Sequence, residues 1–372
     1  MSPHLIKYQL DTGLRCGNLT QTKILAHCLR QSTSSIVSTE AEQSLQSAVI
    51  VGLDAEWFEY DPSYITELGI SILQPEKVNA TIGNWLSPWK VIANMLNLHV
   101  RIRPNAHLVN SELCPGNPDE FQFGKTSFVD VDQARGLLRD AFVQFSEHGE
   151  PRPIIFVGHA VDNDIAVIKQ RFGFDIEALG VIVATIDTQV LAVESGLIAK
   201  AKKIRLCNLI GKYGIWERYL HNAGNDTVCT MVAAILMAAG SAKADHSASY
   251  KELKYYAQSD SGNAMTPYGI PRFCTKCDST KHDSNTCSAT VICDYCMATP
   301  SLIWKAETHK TDKCREAIKY AMLDEEEPSP EIKVTVHRFP CPCSLCIEST
   351  DPKRHEVEYA YSHLEQDCIY KG

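Results

Sequence analysis

Val51-Gly52-Leu53-Asp54-Ala55-Glu56-Trp57 decides how this chain reads. It closes an apolar, β-branched run that begins at Ser47, the pattern of a short buried strand. Asp54 and Glu56 are two apart, so both side chains leave the strand on one face. Two carboxylates on one face of a buried sheet are costly unless cations or donors compensate them. A second stretch, Phe156-Val-Gly-His-Ala-Val-Asp-Asn-Asp164, leads from a strand at Pro153–Val157 into a helix from about Asp162 to Phe172, stopped by Gly173. Asp164 falls in its first turn. A third, His221-Asn-Ala-Gly-Asn-Asp226, has a His-x4-Asp spacing and opens a helix running to Ala239. Singly, these are a strand end, two helix N-terminal acids and a capping histidine. Together, at strand ends and helix starts, they are what a two-metal phosphodiester-cleaving site needs. Two Mg2+ or Mn2+ ions require several hard oxygen ligands, with one carboxylate bridging. A histidine beside them has the pKa to take a proton from the attacking water.

Outward from these blocks, Tyr64–Leu73, Leu98–Ile102 and Val181–Ile186 read as further strands. Asp130 and Gln133 form a capping box before a helix whose apolar face is Val131, Ala134, Leu137, Leu138, Ala141, Phe142 and Phe145. Three strands, then helix, strand, helix, strand, helix, predict an α/β domain with a mixed sheet. The expected division is a poorly defined N-terminal arm at 1–45, the α/β domain at 46–240, a polar linker at 241–272 and a Cys/His region at 273–372.

The 372 residues carry a net charge of -9 and are 44% hydrophobic, so no global positive field draws nucleic acid. Contact with it must come from local patches, for which Lys200, Lys202, Lys203 and Arg205 are candidates; a solvated face is the other reading. No run is long enough to span a membrane and no apolar signal core opens the chain. The expectation is an intracellular protein of cytoplasm or nucleus with no membrane partner. Gly124-Lys125-Thr126 lacks the upstream glycine spacing of a phosphate loop.

At these residues the sequence resembles the ribonuclease-H-like 3'→5' exonucleases of the DEDDh type, over about 46–240. The resemblance implies that Asp54, Glu56, Asp164 and Asp226 hold two metals, with Asp54 bridging, and that His221 is the general base. Ile-Thr-Glu-Leu-Gly-Ile-Ser-Ile and His-Asn-Ala-Gly-Asn-Asp are similar to one fungal subgroup, named after a yeast factor described as "good for full activity" of a DEAD-box helicase. Two places depart from the pattern. Ala160 stands where many members have asparagine, which bears on substrate geometry, and Trp57-Phe58 stands where many have threonine. Trp57 or Phe58 is expected either to stack on the terminal base, worth roughly 1–3 kcal/mol, or to pack in the core. Glu67 is a site contact or a solvent-facing strand residue, and Asp187 is structural.

Ten of the 15 cysteines fall between Cys274 and Cys368. Without a secretory signal, such clustering favours metal over disulfides. Cys274-x2-Cys277-x4-His282-x4-Cys287 has the spacing of a zinc knuckle, a module known for binding single-stranded nucleic acid. Its ends recur in Cys293, Cys296, His309 and Cys314, and in Cys343, Cys346, His363 and Cys368, so about three Zn2+ are expected. Acidic side chains outnumber basic ones from Lys251 onward, unlike a nonspecific RNA clamp. Two readings remain open. One is a metal-dependent exonuclease on single-stranded RNA or DNA, with zinc modules that hold substrate. The other is a catalytically weak adaptor that binds RNA or protein in a ribonucleoprotein assembly.

Overall fold

The computed structural model describes residues 2–31, 37–78, 87–200, 202–241, 244–259 and 268–324. Met1–Tyr320 forms one compact unit and Ala321–Gly372 a second. Cys343, Cys346, His363 and Cys368, the expected third zinc segment, lie outside the described residues.

The centre is a six-stranded mixed sheet. Its strands are β1 (Val49–Phe58), β2 (Asp61–Leu73), β3 (Leu96–Ile102), β4 (Thr126–Val129), β5 (Ile154–Gly158) and β6 (Ile182–Asp187), in the order β4-β3-β2-β1-β5-β6. β2 is antiparallel to both β1 and β3, while β5 runs parallel to β1 and β6, and β4 parallel to β3. Strand alternation divides β1 between two cores. Val49, Val51, Leu53 and Ala55 pack in a core with α6 (Val131–Phe142) and α7 (Asp162–Phe172), whereas Ile50 joins the core on the opposite face. Asp54 and Glu56 share the parity of Ile50 and Gly52 and so belong to that opposite face.

That face is covered by α10 (Ala223–Ala238), every residue of which is buried. After its polar first turn the sequence is apolar on nearly all sides, as a helix enclosed on all sides must be. Three glycines let it descend onto the sheet. A Cβ at Gly52 would stand 2.7 Å from Met231 Cγ, one at Gly224 would meet the Phe121 ring at 2.6 Å, and one at Gly69 would overlap the Ala223 carbonyl. The expected capping box forms: Gln133 N donates to Asp130 Oδ1 at 2.8 Å and Asp130 N to Gln133 Oε1 at 3.0 Å. α7 ends at Gly173 with φ +63°.

Two expectations need correction. The N-terminal stretch forms α1 (Pro3–Arg15), α2 (Gln21–Cys28) and α3 (Thr39–Gln46), and Ile6, Leu10, Ile24, Leu25 and Leu45 are buried in the α10-side core. Glu194 ties α2 down by accepting from Gln21 N (3.1 Å) and Thr22 N (2.8 Å), a carboxylate at a helix N-terminus. Within the supposed linker, α11 (Ser247–Gln258) buries Tyr250, whose hydroxyl donates to the buried Glu217 at 2.8 Å. Leu253 and Ala257 pack on the same core, so Tyr250, Leu253 and Ala257 make an i, i+3, i+7 stripe. The smaller helices are α4 (Pro75–Val78), α5 (Pro88–Ile92), α8 (Thr188–Glu194), α9 (Leu206–Gly211), α12 (Asp294–Ala298) and α13 (Arg315–Asp324). No described helix is long and apolar enough to cross a membrane.

Candidate active site and Cys/His modules

β1 pairs with β5 only as far as Gly52↔Val157. Beyond that point the β5 side of β1 is unpaired, and Asp164, in the first turn of α7, reaches across. Its Oδ1 accepts from Ala55 N at 3.1 Å. Asp226 comes from the first turn of α10, and its Oδ2 accepts from His221 N at 3.1 Å. Glu56, His221 and Asp226 each place a ligand atom within 4.8 Å of the others. The structure therefore brings together the acids and the histidine that the sequence singled out.

Electrostatics show what this gathering costs. Asp54 and Glu56 have pKa values well above the carboxylate range, from burial first and then from the neighbouring acids. Burial raises Asp164 to about 7 and Asp226 to about 8, against the pull of their backbone donors. Asp54 Oδ2 and Asp226 Oδ1 are buried without any hydrogen-bond partner. Carboxylate oxygens so placed are destabilising unless a cation meets them. A hard-oxygen donor set with orphaned lone pairs fits divalent Mg2+ or Mn2+.

His221 adopts φ +61°, a left-handed conformation uncommon for a non-glycine residue. Its pKa is lowered, by burial and then by the Arg205 guanidinium, so the imidazole is biased to the neutral, proton-accepting form. Cys114 Sγ sits 3.2 Å from its Nδ1. Burial and the nearby carboxylates push the Cys114 thiol up to about 12, so it is a neutral neighbour and no nucleophile.

Glu67 is buried, opposite Glu56 in the β1–β2 register. It contacts His99 Nε2 at 2.9 Å and accepts from Ala223 N at 3.3 Å, while His99 Nδ1 meets Thr126 Oγ1 at 2.9 Å. This chain seats the N-terminus of α10. Asp187 is structural, as expected: it caps α8 through Gln189 N (2.7 Å) and accepts from Ala160 N (3.3 Å). Ala160 has φ +58°. An asparagine there would suit the backbone, because asparagine tolerates that region better than alanine.

Phe58 requires a correction. It is 0% exposed, tilted against Tyr60 at 5.5 Å and covered by the Arg315 guanidinium, so it offers no face to a substrate. A register shift at Trp57 turns the strand there and sends Phe58 inward. Trp57 is partly exposed. Lys200, Lys202 and Lys203 are exposed, and Arg205 immediately precedes α9.

Two Cys/His clusters assemble after Phe273: Cys274, Cys277, His282, Cys287, and Cys293, Cys296, His309, Cys314. None of the described cysteines is in a disulfide. Tetrahedral zinc with Zn–S bonds of about 2.3 Å separates its ligand sulfurs by about 3.8 Å. Cys277 and Cys287 are 3.7 Å apart, and so are Cys296 and Cys314. His282 and His309 point Nε2 at the thiols, and Thr308 Oγ1 holds the other nitrogen of His309 at 2.8 Å. Phe273 packs against Phe128, and Ile270 bridges to Phe128, closing the sheet edge at β4.

A mixed sheet of this order, with carboxylates gathered beside its central strand, defines a ribonuclease-H-like nuclease. The chain belongs to the family described as DNA polymerase III subunit epsilon-like, C-terminal domain, matched over residues 49–237, about half its length. It is 27% identical over 210 residues to an uncharacterized nucleolar protein of Schizosaccharomyces pombe, covering 55% of this chain and 74% of that one. Among solved structures it is similar to the zinc-bound form of Escherichia coli ExoI in complex with single-stranded DNA, at 14% identity and a TM-score of 0.32. That match covers 51% of this chain and 40% of ExoI.

Sequence reasoning missed Glu59 and the 110–117 loop that carries Cys114. Cys114 is 107 positions from His221 and carries no spacing signal.

Proposed function

We propose that this protein is a metal-dependent 3'→5' exonuclease acting on single-stranded nucleic acid, with RNA favoured. The observation that carries the reading is the pair of orphaned, buried oxygens, Asp54 Oδ2 and Asp226 Oδ1, in a carboxylate cluster beside a neutral-biased histidine. Asp54, Glu56, Asp164 and Asp226 hold two divalent cations, Mg2+ or Mn2+. When bound, these supply a water of lowered pKa and neutralise charge at the leaving oxygen. His221 takes the proton from the attacking water, and the neutral bias of its ring keeps it ready at neutral pH. Trp57 stacks on the terminal base. Arg205, the cation that His221 senses, approaches the substrate phosphates.

In this reading, residues 46–240 are the catalytic domain, supported on one face by the N-terminal helices and α11. The modules at 274–287 and 293–314 each hold one Zn2+, and 343–368 a third. They bind single-stranded substrate beside the domain. The fungal subgroup fits the motif blocks, and the nucleolar relative supports an intracellular, nuclear place.

The test is digestion of end-labelled single-stranded RNA and DNA with Mg2+, Mn2+ or chelator. Shortening from the 3' end, lost in Asp54→Ala and Asp226→Ala, is expected. No nucleolysis by metal-loaded protein, or full activity in Asp54→Ala, defeats the reading. A second reading, an adaptor in a ribonucleoprotein assembly, is favoured by Ile292, Met297, Ile303 and Trp304. These apolar side chains are exposed on the second module.

A further inference from the structure

Glu59 lies three residues beyond Glu56, with its side chain only 2% exposed. Its two oxygens collect four consecutive backbone N–H groups: Ser111 at 3.0 Å, Glu112 at 3.2 Å, Leu113 at 2.7 Å and Cys114 at 3.3 Å. Converging amides of this kind cradle an anion, and here the anion pins the loop. Asn110 adds a second tie, accepting from Glu59 N at 2.9 Å and donating to Trp57 O at 2.8 Å. The far end of the same loop brackets His221. Cys114 Sγ meets Nδ1, Asn117 N donates to His221 O at 3.0 Å, and Asn117 Nδ2 donates to Leu220 O at 2.9 Å. These bonds hold a residue whose backbone is in an unfavourable region.

The countercharge to Glu59 comes from the second Cys/His module. Arg315 Nη2 donates to Glu59 Oε1 at 2.8 Å and to Glu112 Oε1 at 3.1 Å, and Nη1 donates to Ser111 Oγ at 2.6 Å. The guanidinium lies 5.7 Å from the Phe58 ring centroid. One turn along α13, Lys319 donates to Glu112 Oε2 at 2.6 Å and lies 4.7 Å from the Tyr60 ring centroid. Arg315 directly follows Cys314, the last thiol of the cluster. A metal that fixes Cys314 therefore fixes the start of α13 and the aim of Arg315. Exposed ion pairs contribute little. This pair differs, because removing the guanidinium leaves a buried carboxylate without its counter-ion.

We propose that the zinc site of the second module, acting through Arg315 and Glu59, clamps the 110–117 loop against His221. Arg315 and Glu59 are thus positioning residues for the general base. The inference rests on the exonuclease reading for the role of His221, but the clamp itself is measurable without activity.

The test uses zinc-loaded, full-length protein as wild type, Arg315→Lys and Arg315→Met. The methionine keeps an apolar stem over Phe58 and leaves the four metal ligands in place. Zinc content, amide hydrogen exchange across 111–117, and kcat and KM on end-labelled single-stranded RNA with Mn2+ are measured for each. In Arg315→Met, zinc content and KM are expected to stay at wild-type values. Exchange across 111–114 is expected to quicken, and kcat to fall, each by about tenfold or more, the scale of a lost charge-assisted hydrogen bond. Arg315→Lys is expected to fall between. Zinc removal from wild type should reproduce the faster exchange, and should add nothing in Arg315→Met. Unchanged exchange and kcat in Arg315→Met at full zinc content overturn the clamp. So does loosening on zinc removal that Arg315→Met fails to reproduce. If wild type cleaves nothing, the exonuclease reading fails while exchange still decides the clamp.

Discussion

Gly69→Ala puts the geometry of the site under direct strain. Gly69 pairs with Asp54 across the β1–β2 ladder and lies beneath the first turn of α10. A Cβ there overlaps the Ala223 carbonyl and comes within 2.6 Å of Gly224 N. Both obstacles are backbone, so neither can rotate away. Restoring ordinary contact of about 3.5 Å with the Ala223 carbonyl requires the turn to retreat by about 1.5 Å. Asp226 rides on that turn. A misplacement of about 1 Å costs about 100-fold in rate, and forced overpacking costs about 1–3 kcal/mol. For a domain of this size that is a fall in Tm of roughly 2–12 °C. Gly52→Ala is the control. Its Cβ meets the flexible Met231 side chain at 2.7 Å, which can repack. The assay is kcat on end-labelled single-stranded substrate beside a melting curve for each variant. A Gly69→Ala protein that keeps wild-type kcat refutes the reasoning. So does a Gly52→Ala protein as damaged as Gly69→Ala.

His221→Ala is expected to lose about 100- to 10,000-fold in kcat while still binding Mn2+ by calorimetry; a wild-type rate at pH 6–9 removes it from the role. With metal saturating, the lowered pKa of His221 places the acid limb of the rate profile below the ordinary histidine range, and Arg205→Gln should move that limb upward. Asp164 and Asp226 rise from 3.8 to about 7 and about 8, so the folded state binds more protons and the Mg2+-free protein loses stability as pH rises through that window. Asp54→Asn relieves the repulsion, so in zinc-retaining, Mg2+-free buffer it should melt above wild type at pH 8 and much less so at pH 5.5; an equal gap at both pH values counts against the cluster. Ala160→Asn should stabilise by about 0.5–1 kcal/mol by suiting the positive φ, and a lower Tm would show that the position is governed by something else.

The clustered acids were legible because each lies where local rules speak clearly. Asp54 and Glu56 close a β-branched run, Asp164 follows a strand into a helix that Gly173 stops, and the Asp130–Gln133 box is purely local. The N-terminal helices were not legible. α1 buries only Ile6 and Leu10 and α3 only Ala41 and Leu45, too little apolar periodicity to separate them from a coil. α11 hid because its stripe is narrow and sits in a mostly polar segment, with Tyr250 its one fully buried side chain. For Phe58 the sequence left base stacking and core packing open, and the register shift at Trp57, which decides for the core, has no local signature. The Glu59 cradle joins segments more than 50 positions apart through backbone amides, which have no sequence signature at all.

The enclosure of α10 has a consequence for how the protein is born. Asp54 leaves the ribosome 172 positions before Asp226, roughly 10–30 s at ordinary elongation rates. Even then α10 needs Tyr250 from α11 to complete its cover. A growing chain thus carries separated fragments of an acid cluster through most of its synthesis, and the full negative charge is concentrated only near the end. In the nascent polypeptide the acid cluster stays incomplete until the last helix of the domain closes.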